Sequence, residues 1–230
     1  MKLYKKEKYQ DKKSWLLARR IGGSGASALL GESPYQTALD VYCAIVNPAE
    51  IKDEQNTSTQ YGVALEPIIR ANVKENFKNK YRVQSPNGYT MYRRKDKPYM
   101  TATVDGLLTS LTDSKERWVL EIKTHEARGA EDMEKWNGKI PQNYFIQCLH
   151  YLAVMNDLAG CLFVAKIRYT NYDTGEVYKE EINYLKIERK DFEKDIAYLE
   201  QVETDFWENH VVKRIPPNIV IPIMEEETNV

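Results

Sequence analysis

The chain has 230 residues, 42% hydrophobic and 29% charged, with 33 Lys and Arg against 34 Asp and Glu. That length and balance fit one soluble domain with a proper core and exclude a low-complexity or uniformly basic chain. No apolar run approaches the ~18 to 20 residues of a membrane span, the start lacks the apolar segment of a signal peptide, and the three dispersed cysteines make neither a disulfide framework nor a zinc knuckle. The expected location is therefore cytoplasmic, with Cys43, Cys148 and Cys161 as buried free thiols.

The net charge of −1 hides an uneven distribution: residues 1–20 carry eight Lys and Arg against Glu7 and Asp11, while the tail "IPIMEEETNV" carries only acids. The basic start reads either as a solvated helix or as a basic lip beside an anionic substrate. "DKKSWLLARR" has a short helical pattern that stops at glycines. "SGASALLG" then reads as two turns of helix with Ser24 as N-cap and Gly31 after its end, and Thr37 caps a further helix. Residues 47–60 read as a polar loop. "YGVALEPIIRANVKENFKNK" has helical spacing, with Pro67 placed near a helix start or at a kink.

The period then changes. "YRVQSP", "YTMYRRK", "YMTATVDGLLTS" and "RWVLEIKTH" are short, rich in β-branched and aromatic residues, and separated by turn signals, which predicts an antiparallel meander. "IPQNYFIQCLHYLAVMND" reads as a buried helix. "GCLFVAKIRYT" and "EVYKEEINYLKI" form a hairpin around Asp-Thr-Gly, and an amphipathic helix runs from Asp191 to about Lys213, where "IPP" ends it. The expected fold is α/β or α+β, a central mixed sheet flanked by helices.

The chemistry concentrates in "TATVDGLLTSLTDSKERWVLEIKT". A turn centred near Asp113 sets Asp105 opposite Glu121, each eight residues away. Two facing carboxylates repel unless a divalent cation joins them, and oxygen ligands, with the Ile122 carbonyl as a further candidate, suit Mg²⁺ or Mn²⁺. Period two puts Lys123 on the face of Glu121, within reach of an attacking water or a phosphate oxygen. Asp, Glu and Lys so arranged make a phosphodiester-hydrolysis site; the alternative is a surface charge cluster. Glu-x-Lys also occurs at Glu50, in a polar loop, and at Glu188, whose upstream acid lies in a turn. Glu66 sits in an apolar run, either near this site or paired with Arg70 one turn on. Gln147, His150 and Tyr151 form a polar stripe on an otherwise apolar helix, which suggests contact with a cleft.

With these residues in view, the chain resembles the YqaJ-like viral recombinase family, relatives of phage lambda exonuclease within the PD-(D/E)XK nucleases. The likeness runs from about Arg19 to Tyr151, through "RRIGGSGASALLGESPYQT", "GVALEPIIR", "VDGLL", "LEIKT" and "QCLHY". It implies a restriction-endonuclease-like core in a single domain over 1–230: a helical 5′-phosphate region (1–46), a catalytic core (61–190), a C-terminal helix (191–213) and a tail (216–230). Asp105 and Glu121 would bind metal, with Glu66 as a further ligand or water-positioning group and Lys123 orienting the water. Gln147, and with it His150 and Tyr151, would lie beside the metal and the scissile phosphate. Arg20, Ser24 and Ser27, with Arg19 and Thr103 as further DNA contacts, would hold a 5′ phosphate. The family often has a second Gln where this chain has Leu149.

The implied activity is Mg²⁺-dependent 5′-to-3′ digestion of linear duplex DNA, leaving 3′ single-stranded tails for recombination. A homotrimer and a single-strand annealing partner are also implied, in a phage or prophage protein of a bacterial host. Two alternatives remain: a catalytically silent DNA-end-binding or anti-defence protein, and a RecB-like or Cas4-like nuclease. Four cysteines would be expected for an iron–sulfur cluster of the Cas4 kind, and this chain has three.

Overall fold

The computed structural model describes residues 2–48, 57–86, 88–171 and 173–218. In chain order the elements are β1 (Tyr4–Tyr9), α1 (Lys12–Ala18), α2 (Gly23–Leu29), α3 (Ala38–Val46), α4 (Thr57–Asn76), β2 (Tyr81–Gln84), β3 (Tyr89–Arg94), β4 (Thr101–Ala102), β5 (Gly106–Ser110), β6 (Arg117–Arg128), α5 (Ala130–Trp136), α6 (Gln142–Val154), β7 (Gly160–Thr170), β8 (Val177–Glu188) and α7 (Glu193–Phe206), which continues as a wider π turn over Trp207–Val212. The strands make a mixed sheet ordered β2-β5-β6-β7-β8 and a smaller one ordered β1-β3-β4. In the larger sheet β6 and β7 are parallel and the other pairs antiparallel.

Parallel neighbours need a crossover, and here it runs through α5 and α6, which lays α6 over one face of the sheet. Period two then sorts the side chains. Trp118, Leu120 and Ile122 of β6 join Leu162 and Val164 of β7 in a core with Ile69 and Val73 of α4. On the opposite face Val119, Phe163, Ala165 and Ile167 pack with α2, α6 and α7 around Leu149, Leu152 and Leu199. Glu121 belongs to this second face and is 1% exposed.

Several expectations are altered. The basic start is neither helix nor lip alone: Tyr4–Tyr9 is an edge strand paired with β3. The four middle runs do not form one meander, because β3 and β4 leave to pair with β1 while β2, β5 and β6 stay in the larger sheet. Gly22, not Ser24, is the N-cap of α2. Gly31 does follow the end of that helix, at φ +74°. Thr37 caps α3 through a reciprocal box with Asp40. Pro67 lies inside α4 rather than at its start. The carbonyl it leaves without an N–H partner belongs to Val63, which is exposed, so water can serve it. Cys43 is exposed, while Cys148 and Cys161 are buried. Glu50, most of the 47–60 loop and the acidic tail lie outside the described residues.

Candidate active site

The site forms where strand pairing stops. The β5–β6 register, Thr109↔Arg117 to Gly106↔Leu120, follows the count centred on Asp113, and it ends one residue short of Asp105 and Glu121. Beyond that point the edge of β6 is open on the β5 side. Asp105 closes part of it, its Oδ2 accepting from the Ile122 N–H at 2.7 Å. A strand residue sends its N–H and C=O to the same edge, so the Ile122 carbonyl also opens toward this side. Arg70 fixes the chain here from α4, its Nε donating to the Asp105 carbonyl at 2.8 Å while its guanidinium pairs with Glu66.

Glu121 is held from two sides. Its Oε1 accepts from the Lys123 ammonium at 2.7 Å and from Gln147 Nε2 at 2.6 Å. Gln147 Nε2 also reaches the Tyr151 hydroxyl at 2.6 Å. Glu121 Oε2 is enclosed and has no hydrogen-bond partner among the described residues. Burial pushes the Asp105 carboxyl well above its usual range, and the Glu121 and Glu66 charges add to this against the pull of Lys123. Burial raises Glu121 as well, opposed by Lys123 and the Tyr151 hydroxyl. Lys123 is raised because the two carboxylates outweigh its own desolvation. Its ammonium also sits 4.9 Å from the Tyr144 ring centroid.

Asp105, Ile122 and Lys123 line a cleft of about 760 Å³ with Glu66, His125, Tyr144 and exposed Tyr35, and Glu121 lies enclosed beneath them. An orphaned carboxylate oxygen, a half-buried carboxylate and a strand-edge carbonyl are an oxygen donor set suited to a hard divalent cation. Glu66 stands apart, bonded to Arg70, and among the described residues no three His, Cys, Asp or Glu side chains come together as a metal cluster.

A second cavity, about 210 Å³, is lined by Arg19, Arg20, Gly22, Ser24, Gly25 and Gln36 with apolar residues and no acid. Arg20 is braced by its own backbone, donating to the Leu17 and Arg19 carbonyls at 2.9 and 2.7 Å. Arg19 lies over the Trp15 ring at 4.8 Å. Neither guanidinium has a carboxylate partner among the described residues, and burial is the main cause lowering the pKa of both. Beside this cavity, α2 packs on α6. A Cβ on Gly23 would come within 2.5 Å of Gln147 Cγ and 3.0 Å of Tyr151, so only glycine lets α2 approach α6 this closely.

A YqaJ-like viral recombinase domain model matches residues 14–172. The chain belongs to that family. It is 26% identical over 210 residues to the uncharacterized protein YqaJ of Bacillus subtilis strain 168, covering 90% of this chain and 59% of that relative, so it spans well under two thirds of the relative's length. The fold is similar to that of an alkaline exonuclease, LHK-Exo, from Laribacter hongkongensis, with a TM-score of 0.58 at 19% identity over 89% of this chain and 94% of that one. Its complex with dAMP gives a TM-score of 0.62 at 18% identity over the same shares. The expected mixed α/β architecture, a five-stranded sheet flanked by helices, is the one this likeness supports.

Not every residue expected here arrives. Gln147 and Tyr151 turn to Glu121, but His150, between them in the stripe, points away. It is fully buried, its Nδ1 2.7 Å from Glu203 on α7 and its Nε2 2.9 Å from the Thr101 carbonyl. A carbonyl only accepts, so Nε2 carries a proton. Burial lowers the ring's pKa, but the Glu203 charge and both hydrogen bonds raise it by more, so the net shift favours the protonated ring beside the carboxylate. His150 therefore braces α6, α7 and β4 and has no face for DNA. Ser27 is buried too, its hydroxyl donating to the Ser24 carbonyl at 2.8 Å. Thr103 is half-buried in the link to Asp105 and lines neither cavity. Sequence reasoning missed Tyr35, 75% exposed at the cleft mouth, and His125, two residues beyond Lys123. The period-two count that found Lys123 also reaches His125.

Two outcomes follow from this geometry. Because an ion pair with one partner removed leaves an uncompensated buried charge, His150→Ala should cost about 3–5 kcal/mol in urea denaturation; an unchanged midpoint would return His150 to the surface. Asp105→Asn keeps the acceptor for the Ile122 N–H and removes a carboxyl whose folded pKa is raised. Such a group loses stability as pH climbs from its unfolded value near ~4 through the folded one. In EDTA at pH 8 Asp105→Asn should therefore melt higher than the wild type, by about 2–4 °C per kcal/mol recovered, with the gap closing toward pH 4. A lower melting temperature at pH 8 would contradict the half-buried, repelled carboxylate.

Proposed function

We propose that the protein is a Mg²⁺-dependent nuclease that digests linear double-stranded DNA from the 5′ end, releases mononucleotides and leaves 3′ single-stranded tails for recombination by strand annealing. The observation that carries this reading is the convergence of Asp105, Glu121 and Lys123 at an open strand edge, with Glu121 Oε2 unsatisfied. Membership of the YqaJ-like recombinases and likeness to the fold of an alkaline exonuclease agree with it. Asp105, Glu121 and the Ile122 carbonyl would hold the Mg²⁺, or Mn²⁺, with Glu66 at the cleft wall. Bound there, the cation would supply an acidified water and charge neutralisation at the phosphate.

The protein's own groups do the remainder. Lys123, anchored by Glu121 and the Tyr144 ring, presents its remaining donors to the attacking water and a phosphate oxygen. Gln147 fixes the Glu121 carboxylate so that Oε2 is left for the cation. Arg19 and Arg20, with Ser24, hold the terminal 5′ phosphate in the acid-free cavity through charge-assisted hydrogen bonds. Since Gly23, between the cavity residues Gly22 and Ser24, packs on Gln147, which bonds Glu121, a gripped end would sit on the helix that rests against the cleavage site. A ring-shaped homotrimer and a single-strand annealing partner, both implied by the family, would suit such an enzyme.

The test is digestion of linear duplex bearing 5′-phosphate or 5′-hydroxyl ends, in Mg²⁺ or EDTA. Mononucleotide release should require Mg²⁺ and fall about 10²–10⁴-fold in Lys123→Ala. Arg20→Ala should lose about 10–100-fold on phosphate ends, the worth of one charged hydrogen bond, and much less on hydroxyl ends. Folded protein that binds ends but hydrolyses nothing in either metal would overturn the nuclease reading.

A further inference from the structure

His125 continues the face of β6 that carries Glu121 and Lys123, two residues or roughly 7 Å along the strand. Its ring is fixed by three contacts. Nε2 lies 2.9 and 3.0 Å from the two oxygens of Asp132. Asp132 is itself held in the first turn of α5 by the Arg128 N–H at 3.0 Å. The ring stacks on buried Trp136 at 4.5 Å between centroids and 18° between planes. The side chain is 25% exposed and lines the cleft with Lys123, and among the described residues nothing bonds to Nδ1. An imidazole so restrained, on a cleft-lining residue, has one polar atom without a partner among the described residues.

We propose that His125, oriented by Asp132 and Trp136, is a phosphate-binding residue: in its protonated form it donates from Nδ1 to a DNA phosphodiester beside the one at Lys123. The proposal rests on the DNA reading of the cleft. With Asp132 occupying Nε2–H, neutral His125 offers the cleft only a lone pair, which a phosphate oxygen cannot use. Phosphate contacts set the position of the strand without reading its sequence. The charged groups around the ring are Asp132 on α5, Lys123, Glu126 and Arg128 on β6, Arg168 on β7 and Glu66 across the cleft on α4. Glu126 is already paired with Arg128 at 2.6 Å.

The experiment is binding of labelled linear duplex in EDTA, titrated with KCl at pH 6 and pH 8, for the wild type, His125→Gln, His125→Asn and Asp132→Asn. Each phosphate neutralised adds about 0.9 to the slope of log K against log salt on duplex DNA. The wild-type slope should be steeper at pH 6 by up to this amount, both His125 variants should lose that difference, and Asp132→Asn should shrink it. The histidine variants also report on Asp105 and Glu121, whose own titration remains in them. A pH difference as large in the His125 variants as in the wild type overturns the assignment, as does a wild-type slope that is the same at both pH values. Variants that lose turnover in Mg²⁺ with an unchanged slope difference would make His125 a group acting on the reaction and not a phosphate contact. Failure of the wild type to bind DNA at all defeats the reading of the cleft itself, whereas binding with the expected slopes but no hydrolysis leaves this contact standing and removes only the nuclease.

Discussion

A buried carboxylate, Glu121, and a half-buried one, Asp105, set the central constraint on this molecule. Desolvation raises the pKa of each, and the Glu121 charge raises that of Asp105 further. The chain offsets this with Lys123 on Glu121 and a strand-edge N–H on Asp105, and leaves Glu121 Oε2 unsatisfied. A fold selected for stability alone would place apolar side chains on this stretch of β6, since well-packed hydrophobic residues usually equal or exceed a buried ionic group. The retained charge marks where stability is given up.

The surrounding architecture follows from holding those groups in place. β5 must stop before Glu121, or its backbone would cover the edge where Asp105 and the Ile122 carbonyl meet the cleft. β7 must be parallel to β6, because the crossover that parallel pairing requires is what sets α6, and with it Gln147 and Tyr151, above Glu121. α4 covers the other face and sends Arg70 to the Asp105 carbonyl. One buried ionic pair far from the cleft, His150 with Glu203, locks α6 to α7 and to the Thr101 carbonyl. Thr101 in turn hydrogen-bonds Ile21, immediately before the glycines of α2.

Much of this was legible in local pattern. Counting from one turn residue, Asp113, gave the Asp105–Glu121 register, and period two gave Lys123; helical spacing gave α6 and the Gln147–Tyr151 pair. What escaped depended on distant partners. β1 has no apolar alternation of its own; it is a strand because β3, some eighty residues later, offers an edge, and its lysines are the kind of side chain that blunts an exposed edge. His150 and Tyr151 are neighbours on the same polar stripe, yet a helix turns about 100° per residue, so one meets α7 and the other Glu121. Ser24 has the chemistry of an N-cap, but the close approach of α2 to α6 shifts the helix start to Gly22.

The link between the two cavities is a matter of backbone and not of charge. Gly23, flanked by the arginine-cavity residues Gly22 and Ser24, packs against Gln147 and Tyr151, and Gln147 bonds Glu121. An anion seated against Arg19, Arg20 and Ser24 would press on the first turn of α2, and α2 rests directly on the side chain that orients the carboxylate. Displacement of a packed helix is transmitted because close-packed interiors have little free volume to absorb it. Within "RRIGGSGAS" it is Gly23 whose missing side chain lets α2 rest on Gln147, while Gly22 faces Arg19 and the Thr101 carbonyl.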